Sequence, residues 1–293
     1  MISIKEYAYA KINLYLDVIS KREDGFHDIK TVMHTVSLAD EITVTVRQAQ
    51  KSSVKLTVLG YGRLPTDSRN LAVRAAELFL STTLISREVN IRLLKRIPVS
   101  AGLAGGSTDA AAVLRALNRA FKRPLTEKRL LSLAAELGSD VPYCLLGGTA
   151  LCYGRGELVE RLPEKLKLNL VIAVAEEHVS TPSAYAELDK LYGDFKDGKN
   201  DDSSFCFDAI MSSVSEGTLS DNKLYNIFEN AILPVCFGAE SIKKQMLELG
   251  ATHTLMSGSG PSVFGIFPDK ASSEAARDSL IKLGIRAYYA ETV

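Results

Sequence analysis

A glycine-rich segment in the first half of the chain has the composition of an anion-binding loop. Residues 98–110 read Pro-Val-Ser-Ala-Gly-Leu-Ala-Gly-Gly-Ser-Thr-Asp-Ala, and a helix is predicted from about Ser107 to Phe121. Glycines let backbone N–H groups converge on an anion, and a helix N-terminus adds unpaired donors and a partial positive charge. The pattern predicts a phosphate site. The alternative is a tight strand-to-helix turn with Ser107 or Asp109 as the helix cap.

Two common nucleotide fingerprints are absent from this segment. The G-x-x-x-x-G-K-[ST] loop does not occur, and the spacing of Gly102, Gly105 and Gly106 differs from G-x-G-x-x-G. By itself, the segment therefore predicts an anion at a helix end and no particular nucleotide.

A second set of polar residues lies on the first predicted strand. Apolar and polar residues alternate from Tyr7 to Val18, which predicts a strand with one apolar face. Lys11 and Asn13 fall together on the other face, so both are predicted to point away from the core. A solvated strand lysine is the alternative for Lys11.

A glycine-rich turn near the C-terminus, residues 257–262, has no obvious helix behind it. We expect it to close over phosphates or substrate. The alternative is a simple connection between two strands.

The composition limits the classes of function. The chain has 293 residues, with 35 Lys plus Arg against 35 Asp plus Glu, so a nucleic-acid-binding role is disfavoured. No apolar run reaches the ~18 residues of a membrane span, and no basic and apolar leader opens the chain. We expect a cytoplasmic protein without a membrane partner. The four cysteines lack metal-site or C-x-x-C spacing and are predicted to be buried thiols, not disulfides.

The elements that must position these residues follow from hydrophobic periodicity and from turn residues. The sequence predicts strands over residues 7–18, 29–38, 41–46, 56–59, 89–93, 148–153, 157–161, 168–175, 252–256, 262–267 and 286–292. It predicts helices over residues 70–80, 107–121, 126–137, 183–191, 224–233 and 239–249. Residues 194–204 and 212–223 are predicted surface loops. The order indicates an α+β protein of two domains, 1–160 and 161–293.

Three motifs in order resemble the signature of the GHMP small-molecule kinases. They are Ala10-Lys-Ile-Asn-Leu-Tyr-Leu16, the segment from Pro98, and Met256-Ser-Gly-Ser-Gly-Pro-Ser-Val-Phe264. The family pattern for the second is Pro-x-x-x-Gly-Leu-x-Gly-Ser/Gly-Ser-Ser. The resemblance covers essentially the whole chain. It implies an N-terminal nucleotide domain like ribosomal protein S5, a ferredoxin-like C-terminal α/β sandwich, and ATP with Mg²⁺ as cofactors.

Further segments resemble those members of the family that act in the non-mevalonate isoprenoid pathway. They are residues 22–27, 138–142, 147–150 and 154–157. This resemblance implies that the small-molecule partner is a cytidine diphosphate ester of methylerythritol, phosphorylated on its tertiary 2-hydroxyl. A monomer or a homodimer is expected.

The resemblance also implies catalytic roles. It places Asp140 beside the attacking hydroxyl as general base, with Lys11 near that hydroxyl and the γ-phosphate, and Asn13 orienting the substrate. Asp140 follows a predicted helix stop at Gly138 and lies outside any apolar stripe. The alternative is that Asp140 only caps the helix that starts near Pro142.

For the cytosine, the resemblance implies that Phe26 stacks on one ring face and His27 bonds to the base edge. Tyr185 is expected on the other face, with Thr181 nearby in the same substrate-binding segment. A helix core residue is the alternative for Tyr185.

For ATP, the resemblance implies a set of binding residues along the loop. They are Pro98, Val99, Ser100, Ala101, Gly102, Leu103, Ala104, Gly105, Gly106, Ser107 and Thr108. Adenine contacts are expected from Asn70 and Lys95, for which a helix cap and a surface lysine are the alternatives.

Three residues depart from the usual family pattern: Tyr9 stands where Pro is common, Phe26 where Tyr is common, and Thr108 where Ser is usual. None removes a group that the chemistry requires. Two other functions remain open from the sequence. One is a GHMP kinase acting on homoserine or mevalonate, and the other is a nucleotide-binding regulatory protein without transfer chemistry.

Overall fold

The computed structural model describes residues 1–163, 165–193, 195, 201–219 and 224–293. The strands are β1 (Ile2–Lys21), β2 (His27–Gln48), β3 (Ser53–Leu59), β4 (Arg87–Leu94), β5 (Thr149–Gly154), β6 (Leu158–Arg161), β7 (Asn169–Val174), β8 (Tyr225–Asn226), β9 (His253–Met256), β10 (Ser262–Phe267) and β11 (Arg286–Glu291). The helices are α1 (Leu71–Thr83), α2 (Gly105–Ala120), α3 (Glu127–Leu137), α4 (Val141–Leu146), α5 (Thr181–Tyr192), α6 (Asp201–Glu216), α7 (Phe228–Ile232), α8 (Phe237–Glu248) and α9 (Lys270–Lys282).

The chain divides into two compact units that do not correspond to a single cut. Unit 1 comprises residues 1–10, 39–99 and 104–146, and unit 2 comprises residues 11–38, 100–103 and 147–293. The long strands β1 and β2 therefore supply residues to both units. The predicted domain boundary after residue 160 stays a prediction.

Unit 1 combines a short sheet with four helices. β3 runs parallel to β4, and β4 runs antiparallel to β2, in a ladder that ends at the pair Glu41–Leu94. α1 and α2 pack on each other and bury Ala and Val residues along their contact. Asn70 caps α1, Thr126 caps α3, and α3 ends at Gly138, as the sequence predicts.

Unit 2 contains a four-stranded antiparallel sheet in the order β11-β7-β10-β9. β7 is buried from Leu170 to Val174 and β10 along its whole length, as expected for strands covered on both faces. α8 and α9 pack against this sheet. Its core includes Val171, Ala173, Met246, Val263, Phe267, Ala276, Leu280 and Ala287.

The beginning of β2 and the end of β1 also belong to unit 2. β5 pairs antiparallel with β2, with His34 opposite Thr149, and forms a hairpin with β6. β8 pairs parallel with β1, with Tyr15 opposite Tyr225. The strands predicted over residues 148–153 and 157–161 are confirmed as β5 and β6.

Four element predictions need correction. Residues 29–38 and 41–46 form one strand, β2, because Ala39 and Asp40 are buried within it and do not make a turn. Residues 224–233 begin with β8, so the helix there is only α7. No helix was predicted over the residues of α9, although Asp269 caps its first turn.

The fourth correction concerns the predicted surface loops. α6 covers residues 201–216, so residues 201–204 and 212–216 of the two predicted loops are helical, and Val214 is buried. Residues 194, 196–200 and 220–223 of these predictions lie outside the described residues.

The structure also bears on the predictions about the cysteines and about membrane-spanning helices. Cys144, Cys152 and Cys236 are buried, Cys206 is half-buried, and none forms a disulfide. None of the helices in the described ranges is long and apolar enough to cross a bilayer.

Candidate functional site

The glycine-rich segment leads from β4 into α2. α2 begins at Gly105, after Ala104 in the left-handed region at a φ of 57°, and no side-chain oxygen caps its first turn. The alternative in which Ser107 or Asp109 caps the helix is therefore wrong. The first N–H groups of α2 have no partner inside the helix and point toward its N-terminal end, where a ligand would meet them.

Asp109 instead belongs to a buried charge cluster in unit 1. Lys95 Nζ lies 2.5 Å from Asp40 Oδ2 and 2.7 Å from Asp109 Oδ2. Asp40 Oδ1 accepts the backbone N–H groups of Arg96 at 2.6 Å and Ile97 at 2.8 Å. One cation thus faces two carboxylates in a site almost closed to solvent.

This environment changes the pKa values of the cluster. Burial raises the pKa of Asp109, the Lys95 ammonium lowers it, and the Asp40 carboxylate raises it again, so the net direction is upward. For Lys95, burial lowers the pKa, but the two carboxylates outweigh that effect and raise it. Asp109 Oδ1 is also buried without a hydrogen-bond partner among the described residues.

The middle of the glycine-rich segment, residues 100–103, belongs to unit 2 and touches the second glycine-rich turn. Ser257 Oγ donates to the Gly102 carbonyl at 3.1 Å. Gly102 has a φ of +74°, and a Cβ placed on it would lie 2.0 Å from the Ser257 carbonyl oxygen. Only glycine fits there. The turn does connect β9 to β10, and a role in closing over phosphates or substrate stays a prediction.

Lys11 and Asn13 lie in the same part of unit 2 and are buried, at 4% and 2% exposure. Both lie on the polar face of β1, as predicted, but the second glycine-rich turn covers this face and excludes solvent from it. Gly258 N donates to Asn13 Oδ1 at 2.9 Å, and Lys11 Nζ donates to the same oxygen at 2.6 Å. The backbone N–H of Lys11 donates to Leu103 O. Lys11 is therefore no solvated strand lysine.

Asp140 lies in unit 1 directly before α4. Its backbone carbonyl accepts from Cys144 N at 3.0 Å. Its carboxylate is half-buried and makes no hydrogen bond to any described residue, including the first N–H groups of α4. The structure therefore gives no support to the helix-cap alternative. A carboxylate in this state has its acceptor positions available to a hydroxyl group.

His27 stands at the start of β2, inside a cluster built by α5. Its Nε2 lies 2.7 Å from Asp189 Oδ1, and its ring stacks on Tyr185 at 4.6 Å between centroids. Asp189 Oδ2 also accepts from Lys21 Nζ at 2.6 Å. Burial would raise the pKa of Asp189, but the hydrogen bonds from Lys21 and His27 outweigh it and lower the value.

Tyr185 therefore has one ring face covered by His27, and its ring forms a T-shaped pair with Phe228 at 4.9 Å between centroids. Tyr185 is partly buried against the core of unit 2, as the helix-core alternative expects. Its stacking on cytosine stays a prediction.

Phe26 and Thr181 are the more exposed of the predicted substrate contacts. The Phe26 side chain is 52% exposed, with the Arg155 guanidinium 4.9 Å from its ring centre. Gly25 precedes it with a φ of +81°, which lets the turn bring Phe26 N to Asp24 Oδ1 at 3.1 Å. Thr181 Oγ1 lies 3.1 Å from Ser259 Oγ in the second glycine-rich turn.

The two predicted adenine contacts have structural partners in unit 1. Asn70 caps α1 through Oδ1, and its amide donates to Pro65 O at 2.9 Å, so the cap alternative is confirmed. Lys95 is buried between carboxylates, so the surface alternative is wrong. Contact of either residue with adenine stays a prediction.

Two of the three departures from the family pattern meet each other. Thr108 Oγ1 donates to the backbone carbonyl of Tyr9 at 2.7 Å. Serine can make the same bond, and a carbonyl is present whichever residue stands at position 9. The departures therefore preserve this link between β1 and α2.

Two further candidate residues, Asp40 and Asp189, are not predicted from the sequence. Asp40 carried a signal, since it is a charge within a run of strand-forming residues, but no motif marked it. Asp189 lies four residues after Tyr185, and this spacing puts both on one face of a helix. No group of three or more His, Cys, Asp or Glu residues in the described ranges is arranged to hold a metal ion.

Comparison with known proteins defines the class first. Residues 70–148 match the model of the GHMP kinases N terminal domain, and residues 209–286 match that of the GHMP kinases C terminal. A homoserine kinase from Cytophaga hutchinsonii (TM-score 0.74, 22% identity) and a mevalonate kinase from L. major (TM-score 0.77, 14% identity) share the fold. They cover 99% of this chain, and it covers 94% and 95% of theirs.

More similar proteins define the family. A 4-diphosphocytidyl-2-C-methyl-D-erythritol kinase from Caldicellulosiruptor saccharolyticus is 42% identical over 93% of this chain and 91% of its own. One from Lachnospira eligens is 39% identical over 97% and 96%. A crystal structure of 4-(cytidine 5'-diphospho)-2C-methyl-D-erythritol kinase aligns over 99% of both chains with a TM-score of 0.80 and 31% identity. The chain belongs to this family of GHMP kinases.

Proposed function

We propose that the protein transfers the γ-phosphoryl group of ATP to the 2-hydroxyl of 4-diphosphocytidyl-2-C-methyl-D-erythritol. The observation that carries this is the near-complete alignment, at 42% identity, with a kinase of that name. The homoserine and mevalonate kinases are below 25% identity and share only the fold.

Binding of ATP is supported by the first turn of α2. Its uncapped N–H groups and the partial positive charge of the helix end suit a phosphate. Mg²⁺ usually keeps several waters and phosphate oxygens, so one or two protein oxygens suffice for it. The half-buried hydroxyl of Ser107 fits as such a group. When bound, the ion neutralises charge on the phosphates.

Transfer to the hydroxyl requires a proton acceptor and a cation. We assign the first role to Asp140, whose half-buried carboxylate has no hydrogen-bond partner among the described residues. The second role goes to Lys11, whose ammonium group is held by Asn13 Oδ1. A fixed cation lowers the pKa of a nearby hydroxyl and offsets charge that develops during transfer.

Recognition of cytosine is supported by the state of His27. Asp189 is a carboxylate that only accepts, so it takes a proton from His27 Nε2, and in the neutral ring Nδ1 is then an acceptor. An acceptor at Nδ1 matches the exocyclic amino group of cytosine and would meet a carbonyl in uracil. Phe26, exposed on the adjacent turn, supplies a stacking surface.

An ADP-release assay with candidate alcohols tests the function. We expect turnover of the cytidyl substrate and none of mevalonate or homoserine. Turnover of either alternative alcohol, without turnover of the cytidyl substrate, would replace this proposal with that kinase.

The catalytic roles are tested by Asp140→Asn and Lys11→Ala. Loss of a general base or of electrostatic stabilisation reduces the rate by about 10²–10⁴-fold. Nucleotide binding without any transfer by the wild type would favour the regulatory alternative. The cytoplasmic location and the monomeric or homodimeric state stay predictions.

A further inference from the structure

We propose that Asp40 is a positioning residue that holds the two ends of the first glycine-rich segment, which both lie in unit 1, in the geometry that binds ATP. It lies on β2 and is completely buried. The proposal deepens the proposed function and rests on the ATP site assigned there. It concerns residues 95–97, which lead into the segment, and Gly105 to Asp109, which begin α2.

The β2–β4 ladder ends just before the glycine-rich segment. Its last pair is Glu41–Leu94, so the backbone of β2 gives no further ladder partner to residues 95–97. The Asp40 carboxylate takes over at this point. Its Oδ1 accepts from Arg96 N at 2.6 Å and from Ile97 N at 2.8 Å. These are the two residues directly before Pro98, so Asp40 fixes the entry to the loop.

Asp40 is also linked, through Lys95, to the first turn of α2. Asp40 Oδ2 accepts from Lys95 Nζ, which also donates to Asp109 Oδ2 in the first turn of α2. A Cβ on Gly105 would lie 3.0 Å from the same Nζ. The ammonium group therefore lies directly under the first residue of α2. Through Lys95, Asp40 connects the entry of the loop to the helix end that carries its free N–H donors.

Burial of this charge cluster has a cost in desolvation free energy. Burying an ammonium group together with two acidic groups removes charge from water, and apolar replacements are often as stable or more stable. Stability alone is therefore a poor reason for the cluster. A fixed loop geometry is a better one, because a binding site gains affinity when its donors are already in place.

The proposal and the predicted contact of Lys95 with adenine lead to different results. If Lys95 acts by contacting the nucleotide, removal of Asp40 leaves the lysine in place, and binding persists. If Lys95 acts as a bridge from Asp40, then loss of either residue breaks the same connection. A double-mutant cycle separates the two cases.

The test measures the dissociation constant of a non-hydrolysable ATP analogue by calorimetry for wild type, Asp40→Asn, Lys95→Met and the double variant. Asparagine keeps an oxygen for Arg96 and Ile97 but presents no charge to Lys95. We expect each single variant to bind the analogue about tenfold more weakly or worse, and the double variant to be no weaker than Lys95→Met. The KM for the alcohol substrate should stay unchanged in all three.

Glu41→Gln is the matched control. Glu41 is the next residue on β2, and its carboxylate pairs near the surface with Lys5 and Arg96. We expect this variant to bind the analogue like the wild type. Weak binding by Glu41→Gln would show that any charge change on this part of β2 has the effect, and would overturn the proposal.

Other outcomes are also decisive. Wild-type binding by Asp40→Asn, with weak binding by Lys95→Met, would overturn the proposal in favour of direct contact. Additive losses would overturn it too, because they show independent effects. If Asp40→Asn fails to fold, the charge-free variant Asp40→Asn/Lys95→Met/Asp109→Asn replaces it, with weak binding by a folded protein expected and wild-type binding contradicting the proposal. Analogue binding needs no transfer, so these results are independent of which alcohol the enzyme phosphorylates.

Discussion

The two glycine-rich segments of this protein resemble each other in sequence but differ in where their N–H groups point. In the first, α2 begins at Gly105 without a side-chain cap, so its first donors are available to a ligand. In the second, Gly258 N donates to Asn13, and Gly260 N to the Ser257 carbonyl. The first leaves N–H donors without a side-chain partner, whereas the second donates to other parts of unit 2.

Each segment is approached through a carboxylate that accepts backbone N–H groups. Asp40 accepts those of Arg96 and Ile97, and Glu229 Oε1 accepts that of Met256 at 2.8 Å. A lysine accompanies each acid, Lys95 in the first case and Lys243 in the second. The difference lies beyond the lysine, because only Lys95 continues to the start of a helix. Similar supports therefore lead to a helix N-terminus in one segment and to a strand in the other.

The largest expected effect comes from Gly102→Ala. The new Cβ would lie 2.0 Å from the Ser257 carbonyl oxygen, at a φ of +74° that alanine disfavours. Both backbones would have to move, and we expect a loss in the free energy of unfolding of more than about 3 kcal/mol, at the upper end of single substitutions. Urea unfolding measures it.

Gly62→Ala is the control for this prediction, since nothing lies within 4 Å of its Cβ position and its φ is not positive. It should unfold like the wild type. An equally stable Gly102→Ala variant would mean that the contact between residues 102 and 257 does not constrain either segment.

The residues of the sequence motifs were easier to predict than the side chains that support the first glycine-rich segment. Short contiguous motifs contain Lys11, Asn13, Asp140 and the glycines, so neighbouring residues in the sequence are enough to identify them. Asp40 and Lys95 are 55 residues apart, and Asp40 and Ile97 are 57 apart. Such pairs depend on the register of β2 against β4, which hydrophobic periodicity does not determine.

The exposure of residues was also hard to predict. Lys11 and Asn13 lie on the polar face of β1, as the alternation indicates, but Gly258 covers that face. Period-two patterning identifies the face of a strand and not what covers it. For the same reason, Lys95 could be read as a surface residue before its two carboxylate partners were known.

The charge cluster beneath the first segment makes stability depend on pH. In the folded protein, the pKa of Asp109 is raised from 3.8 to about 8. Between these values, unfolding releases the proton of Asp109, so a rise in pH lowers the free energy of unfolding. Asp109→Asn has no such proton. Its stability relative to wild type should therefore increase from pH 5 to pH 8 in urea unfolding.

Asp67→Asn is the control, because Arg69 lowers the pKa of the exposed Asp67 carboxyl to about 2. Asp67 is ionised in both states above about pH 5, so the effect of this variant should not change with pH there. A constant difference between Asp109→Asn and wild type across the same range would contradict a protonated Asp109.

Glu229→Gln tests the support of the second segment. The variant removes the charge that faces Lys243 and keeps one oxygen for Met256 N. We expect a loss of about 1–3 kcal/mol in the free energy of unfolding, because a partly buried cation loses its partner. The KM for ATP should stay unchanged, unlike that of Asp40→Asn. A raised KM for ATP would show that both segments support the nucleotide. Glu240→Gln is the control, because Glu240 forms an exposed pair with Lys244.

The smallest effect is expected outside both segments, at Asp189. Asn at this position can accept from or donate to His27, so the ring proton is no longer held on Nε2. We expect the KM for the cytidyl substrate to rise by a few-fold, about 1 kcal/mol or less, while the KM for ATP stays constant. Lys190→Ala, which removes an exposed lysine paired with Glu187 on the same helix, is the control.

Relative turnover of the uridine analogue should also increase in Asp189→Asn, since His27 can then donate from Nδ1 to a carbonyl. If discrimination between the two bases is unchanged, His27 does not read the amino group, and base selection depends on other contacts.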